Sequence, residues 1–217
     1  MKIFFAIFAL LAVMLAVYPF LGDEEQRDSV TGLPWQIDVL DDGTTRVFGL
    51  RIGVSRLADA SAALGDDMEL AIIASTDVEE VGSLEMYYGH YRAGLLSGKL
   101  ILHTATSEDR LKTWRDNAEK SDYMPSGYAK KYTLSAGDKP QVLQETISGI
   151  TFIPAVNLDE ENVLARFGEP TERIEQPGTM HYLYPEKGLD IAVHERSKEV
   201  MQYVSPKSFD SLVQPLR

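Results

Sequence analysis

The sequence predicts an α+β fold in which an N-terminal transmembrane helix precedes two related modules, each built from a helix and an antiparallel sheet. Three observations predict it: an uncharged apolar run at the N-terminus, two stretches with helical spacing of apolar residues, and aromatic-rich strands after each of them. The expected segments are a transmembrane anchor at 1–22, a tether and hairpin strand at 23–45, a first module at 46–118, a connector at 119–146 and a second module at 147–217.

The N-terminal run predicts a membrane anchor. Residues 3–21 carry no charge, and as a helix they would span about 28 Å, close to the hydrocarbon thickness of a bilayer. Lys2 precedes the run and acidic residues 23–25 follow it, which predicts a single-pass inner-membrane protein with its C-terminal domain in the periplasm. A cleaved signal peptide is the alternative, although cutting after Gly22 would place the bulky Phe20 where cleavage needs a small residue.

Composition argues against several functional classes. The chain has 21 basic and 33 acidic side chains, a net charge of −12. Such a charge repels phosphate backbones, so we expect no nucleic-acid binding. The absence of cysteine removes disulfides, thiolate nucleophiles, Cys-based zinc sites and a Cys-linked lipid anchor.

The first module begins with a hairpin whose turn is Asp42-Gly43 and whose second strand continues through Ile52. Ser55 is the predicted cap of a helix over 57–64, which Gly65 ends. The segments that follow are predicted as strands at 69–74, 84–91 and 95–104 and a helix that Thr106 or Ser107 opens.

The connector predicts a strand at 128–134 and a short helix at 139–147. In the second module, a strand at 150–153 leads to a helix that Asn157 caps and Gly168 ends. The strands predicted after it are 171–175, 181–184, 189–194 and 200–204.

The two modules show the same order of elements. VFGLRIGVSRLADASAALGDD and GITFIPAVNLDEENVLARFGEP each read as strand, break, acidic amphipathic helix and terminal glycine. An aromatic strand (LEMYY, HYLY) and an aliphatic strand (KLILH, LDIAV) follow in both copies. The pattern indicates two diverged copies of a unit of about 60 residues, with two ordinary α/β stretches in the same order as the alternative.

This unit resembles the BamE (SmpA/OmlA) family of small envelope proteins and the related tandem modules of β-lactamase inhibitor proteins. The match is best over 157–204, where ARFGEP, HYLYP and VMQYV carry it, and weaker over 46–104. The chain as a whole also resembles membrane-anchored exported proteins of proteobacteria. The resemblance implies an envelope protein that scaffolds or inhibits another protein and catalyses nothing. Without a cysteine, the chain departs from the lipobox of the first group and the disulfides of the second, so a role in outer-membrane assembly is not carried over.

No catalytic or cofactor-binding motif is present: G-x-S-x-G, H-E-x-x-H, the P-loop and G-x-G-x-x-G are all absent. Two histidine pairs with equal spacing raise the question of a metal site, which would need a third ligand. The residues concerned are His90 with His103, His181 with His194, and Glu85 or Glu195 as the third ligand. Four ordinary sheet histidines explain the same pattern, and we expect no catalytic, cofactor or metal site.

The aromatic strands carry the candidate partner contacts. One face of such a strand must be core, while the other could present anchors to a protein partner. The candidates are Met86, Tyr87, Tyr88, Tyr91, Tyr182 and Tyr184. The leading hypothesis is a non-catalytic, membrane-anchored periplasmic binding or scaffolding protein whose partner is an envelope or inner-membrane protein. The alternative is a small-ligand carrier or hydrolase with a site between the two modules.

Overall fold

Antiparallel β-structure dominates the part of the chain that the computed structural model describes, residues 30–76 and 81–217. The strands are β1 Asp38–Val39, β2 Thr45–Val47, β3 Leu50–Arg51, β4 Glu69–Ser75, β5 Ser83–Ala93, β6 Leu96–Thr104, β7 Lys120–Tyr123, β8 Ala129–Thr133, β9 Ile147–Pro154, β10 Glu172–Gln176, β11 Thr179–Tyr184, β12 Leu189–His194 and β13 Val200–Val204. The helices are α1 Leu57–Leu64, α2 Glu108–Asp116, α3 Lys139–Val142, α4 Glu160–Phe167 and α5 Asp210–Val213, with 3₁₀ turns at Pro185–Lys187, Pro206–Ser208 and Gln214–Leu216.

The predicted transmembrane span, 3–21, lies outside the described residues. Within 30–76 and 81–217, no helix is long and apolar enough to cross a membrane; α2, the longest there, has nine residues. The predicted fold class with its N-terminal transmembrane helix, and the predicted single-pass inner-membrane localisation, are therefore not supported. The described residues instead form a mostly antiparallel sheet with short helices.

Ten strands form one sheet in the order β10-β11-β12-β13-β9-β6-β5-β4-β8-β7, and every pair of neighbours is antiparallel. Strands β4–β8 come from the first module and connector, and β9–β13 from the second. The two groups join where β6 pairs with β9, from Gly98 opposite Pro154 to Thr104 opposite Ile147. Residues 31–217 accordingly form one compact unit.

The N-terminal hairpin differs from its prediction. The Asp42-Gly43 turn is present, with the amide of Leu40 bonded to the carbonyl of Thr44. The second strand, however, is broken after Val47, because Phe48 and Gly49 both adopt positive φ angles, 54° and 76°. Two such residues form a tight hairpin turn, so β2 folds back as β3.

One side of the large sheet, the helix face, carries the main core. Apolar residues of α1, α2 and α4, among them Leu57, Trp114 and Phe167, lie in the same cluster as Met86 and Phe152 of the strands. Burial of these side chains is the principal force holding the helices on the sheet.

Helices α1 and α4 end at Gly65 and Gly168, as predicted, and both glycines have positive φ angles. Their caps differ from the prediction. Helix α1 begins after Arg56, whose amide donates to the side chain of residue 59, and the cap of α4 is Asp159, whose carboxylate accepts from the amide of residue 162 at 2.9 Å.

The opposite side of the sheet is only partly covered. The C-terminal segment, 206–216, packs there as a second cluster in which Phe209 and Val213 meet Leu183 and Val204. The side chains that β4, β5, β6 and β9 present on this side belong to neither hydrophobic cluster of the described residues. We call these side chains the open face: Ile73, Glu85, Tyr87, Lys99, Ile101, His103, Thr151 and Ile153.

Candidate functional site

The centre of the open face is a group of three side chains, Tyr87, Ile101 and Ile153, which we call the apolar centre. Tyr87 of β5 lies directly opposite Ile101 of β6, and Ile101 opposite Thr151 of β9. Ile153, two residues along β9, is a diagonal neighbour of Ile101, a separation of about 7–8 Å in such sheets. Tyr87, Ile101 and Ile153 are half-buried, and neither hydrophobic cluster includes them.

Period-two alternation explains why β5 presents Tyr87 on this side. Leu84, Met86 and Tyr88 point into the helix-face core, so Glu85 and Tyr87 between them must point the other way. Of the six aromatic-strand candidates, Tyr87 is therefore the one that the structure places on the open face.

The other candidates belong to the core, and their side chains are not available to a partner. Met86, Tyr88, Tyr182 and Tyr184 are buried. Burial raises the pKa of Tyr88 and Tyr184 to about 12. Tyr91 is turned inward as well, since its ring packs edge-to-face on a core phenylalanine and its hydroxyl donates to a backbone carbonyl at 2.7 Å.

Next to the apolar centre, a groove of about 520 Å³ with mixed polar and apolar lining runs between the open face and the C-terminal segment. Its lining includes His103, Thr151 and Gln202. The imidazole Nε2 of His103 lies 2.9 Å from the Thr151 hydroxyl, and its Nδ1 lies 3.8 Å from the Glu85 carboxylate. Burial lowers the pKa of His103, and the neighbouring Glu85 opposes that shift.

A carboxylate, an imidazole and a hydroxyl in this order resemble an acyl-transfer relay, but the geometry does not support one. The 3.8 Å separation is longer than a hydrogen bond. Thr151 lies in mid-strand between Ile101 and Gln202, where ladder bonding leaves no amide to stabilise an oxyanion. Glu85, His103 and Thr151 therefore form a polar contact within the sheet and not a catalytic relay.

A second depression lies at the other end of the open face, near the turn between β5 and β6. It has a volume of about 420 Å³, and we call it the basic cleft. Its lining residues are Gly89, His90, Tyr91, Arg92, Ser97, Gly98, Lys99, Ile153, Pro154, Ala155 and Lys198. The cleft is not evident from the sequence, because its basic residues come from three separate segments.

His90 and His103 lie on the adjacent antiparallel strands β5 and β6, as their spacing allows, but they are not opposite each other. The residue opposite His103 is Glu85. His90 lies five residues after Glu85 on β5, near the turn, and lines the basic cleft. Sequence spacing does not give this register, because the position of the turn between β5 and β6 decides which residues lie opposite each other.

The second histidine pair lies on adjacent strands but is used for separate contacts. His181, which is buried, has its Nδ1 2.9 Å from Asp190, while His194 contacts the Thr179 hydroxyl at 2.8 Å. Burial raises the pKa of Asp190, and His181 opposes the shift. Glu195 is exposed. In the described part of the chain, no group of three or more histidine, aspartate or glutamate residues could hold a metal ion.

Comparison of the chain with protein-family models, with curated proteins and with solved structures finds no match. The open face and its two depressions are thus the candidate functional features of the described residues.

Proposed function

We propose that the protein is a non-catalytic protein-binding or scaffolding module whose partner docks on the open face. The observation that carries the proposal is the apolar centre formed by Tyr87, Ile101 and Ile153, whose partly exposed side chains lie outside both clusters. An antiparallel sheet that faces water usually presents polar residues on that side. A contiguous apolar patch with a polar rim is typical of an interaction site, and tyrosine is enriched at such sites.

The partner is a different protein whose overall charge is neutral or basic and whose contact surface is apolar. A second copy of this chain would carry the same net charge of −12 over the whole molecule, and like charges oppose association at long range. A basic surface would instead be steered towards the acidic chain. The centre of the face would then receive an apolar side chain of the partner, since that contact releases water from both surfaces.

A repeated contact supports the hypothesis of two diverged copies. Tyr88 donates its hydroxyl proton to the carbonyl of Gly65 at 3.1 Å, and Tyr184 donates to Gly168 at 2.8 Å. In each half, a core tyrosine of the aromatic strand thus bonds to the glycine that ends the helix. This agreement favours two diverged copies of one unit. The resemblance to BamE and to tandem-module inhibitors, which implies a role in scaffolding or inhibiting another protein, remains part of the proposal.

A photocrosslinking experiment in the native cell tests the proposal. A photoreactive amino acid replaces Ile101 in the full-length chain, and in a control chain it replaces Tyr123. Tyr123 is exposed, but it lies on the other side of the sheet, because it pairs with Lys130 and Lys130 pairs with the buried Ala74. We expect one dominant crosslinked protein from position 101 and a different, weaker pattern from position 123.

A substitution on the same face completes the test. Tyr87→Ser should weaken the purified complex by about 30-fold or more in Kd, the loss typical of a central tyrosine. Tyr123→Ser is the matched control and should leave the Kd unchanged. Identical crosslinks from positions 101 and 123, or equal affinities of the Tyr87→Ser and wild-type chains, would contradict docking on the open face.

A further inference from the structure

The basic cleft combines four cationic or titratable side chains without an acidic one. His90, Arg92, Lys99 and Lys198 line it, and neither aspartate nor glutamate does. Acidic residues outnumber basic ones by 33 to 21 in the chain, so a pocket with this lining is a local reversal of the overall charge.

The positive charges in the cleft are not neutralised within the described part of the chain. Arg92 and Lys99 form no ion pair with the carboxylates of residues 30–76 and 81–217. Lys198 is held in position by two neutral acceptors, the carbonyl of Ala155 at 2.7 Å and the side-chain oxygen of Asn157 at 2.6 Å. An ammonium group has three donors, so one N–H of Lys198 remains for a ligand.

A β-bulge shapes the same place. Tyr88 pairs with Leu100 and Tyr91 with Gly98, so two residues of β5, 89 and 90, oppose Lys99 alone. A bulge leaves the extra residue out of the ladder and re-aims the side chains around it. Here it turns Tyr91 into the core and leaves the backbone of 89–90 at the wall of the cleft.

The opposite wall is apolar and consists of Ile153, Pro154 and Ala155. We propose that the basic cleft binds an oxyanion, a carboxylate or a phosphate, that is carried on a small apolar body. Arg92, Lys99 and Lys198 would donate charge-assisted hydrogen bonds to the oxygens, and the 153–155 wall would contact the apolar part. This ligand site shares Ile153 with the apolar centre, but its charged residues lie outside that centre and it does not depend on the proposed partner.

Titration of the full-length protein with inorganic phosphate and with propionate tests the site, with sodium chloride at matched ionic strength as the control for screening. Amide resonances of Gly89 and Gly98 serve as local reporters in a ¹H–¹⁵N spectrum. We expect saturable shifts with either anion that chloride does not produce. Phosphate has no apolar part, so tighter binding of propionate would identify the carboxylate on an apolar body as the preferred ligand, and tighter binding of phosphate would identify the phosphate group.

Variants that remove positive charge test whether the anions bind in the basic cleft. The double variant Arg92→Gln with Lys99→Gln should weaken anion binding by at least about tenfold, as expected when charge-assisted hydrogen bonds are lost. Lys112→Gln, on the exposed surface of α2, is the control and should leave binding unchanged. Absence of saturable shifts with both anions, or an equal loss from Lys112→Gln, would overturn the site. The Tyr87→Ser variant should bind both anions normally, so failure of the partner proposal and failure of this one can be told apart.

Discussion

Phe152→Ala should destabilise both halves of the large sheet together. Phe152 is fully buried on β9, the strand by which the second module joins the first. Its ring centroid lies 5.5 Å from that of Phe48 and 6.0 Å from that of Tyr91. Removing the ring therefore empties a site that contacts the N-terminal hairpin and strand β5 as well as β9.

The expected loss follows from the cavity that remains. Replacing a buried phenylalanine by alanine costs about 3–5 kcal/mol, a large part of the 5–15 kcal/mol that is typical of a whole domain. With a urea m-value of about 2 kcal/mol per molar, the unfolding midpoint should fall by about 1.5–2.5 M. Ile150→Val on the same strand is the graded comparison, with an expected cost of about 0.5–1.5 kcal/mol.

Two tryptophans allow the halves to be followed separately during urea unfolding. Trp114 is buried in α2 of the first half, and Trp35 lies under the guanidinium of Arg166, a residue of α4 in the second half, at 4.6 Å. Trp35→Phe and Trp114→Phe each leave one reporter, whose fluorescence is compared with far-UV circular dichroism of the same protein. We expect the two signals to share one midpoint, and Phe152→Ala to move both equally, because one sheet unfolds as one unit.

Cooperative unfolding of the sheet is refuted if the midpoints separate, or if Phe152→Ala shifts the signal of one tryptophan and leaves the other in place. Either result would mean that the β6–β9 pairing joins two units which unfold independently. The contacts across that pairing would then contribute little to the stability of either half.

Three further changes test other parts of the structure by thermal or urea unfolding. Tyr203→Phe should cost about 1–3 kcal/mol, because the buried hydroxyl donates to the Pro34 carbonyl at 3.1 Å and its removal leaves that acceptor unpaired; an unchanged midpoint would contradict the contact. Gly98→Ala should cost about 1–3 kcal/mol, since its Cβ would lie 2.5 Å from a backbone oxygen and 2.6 Å from a core aromatic ring, whereas Gly137→Ala, whose Cβ would meet only the Ser135 hydroxyl at 4.0 Å, should be nearly neutral. Burial lowers the pKa of His103 from 6.5, so the native state resists protonation and the protein should lose stability as the pH falls below 6.5 towards the lowered value. His103→Gln should flatten that part of the pH profile, and an unchanged slope would exclude His103 as its source.

The elements that the sequence predicts well are those with local signals. Helices α1 and α4 have apolar residues at helical spacing and end at glycines, and the structure confirms both ends at Gly65 and Gly168. Their first residues are predicted less well. Several polar side chains near each start could accept the free amides, and the choice depends on where the preceding strand leaves the sheet.

Non-local pairing is the part that the sequence does not predict. The two modules are recognised by their repeated order of elements, yet nothing local indicates that β6 and β9 pair edge to edge. The break of the hairpin strand at Phe48 likewise has no local signal in the sequence. A phenylalanine rarely adopts a positive φ, and here its ring packs against Tyr91, Phe152 and Tyr203, contacts that favour an otherwise unfavourable backbone and that only the folded chain contains.

The candidate contacts show the same limit. Alternation along LEMYY separates Tyr87 from Met86 and Tyr88, but it does not tell which side the helices cover. Tyr91 would follow the parity of Tyr87 in a regular strand, and the bulge at 89–90 reverses it. Without that bulge, Tyr91 would point to the open face and the core would lose its contact with Phe48.

The basic cleft shows why net charge is a weak guide to what a protein binds. A charge of −12 predicts repulsion of anions at long range, but salt screens exposed charges beyond about 8 Å at physiological ionic strength. Within that distance, the field in the cleft is set by its lining residues, Arg92, Lys99 and Lys198, with no carboxylate among them. An anion would thus be repelled slightly on its approach and attracted once inside. We therefore expect added salt to weaken anion binding in the cleft less than it weakens the attraction between the whole chain and a basic partner.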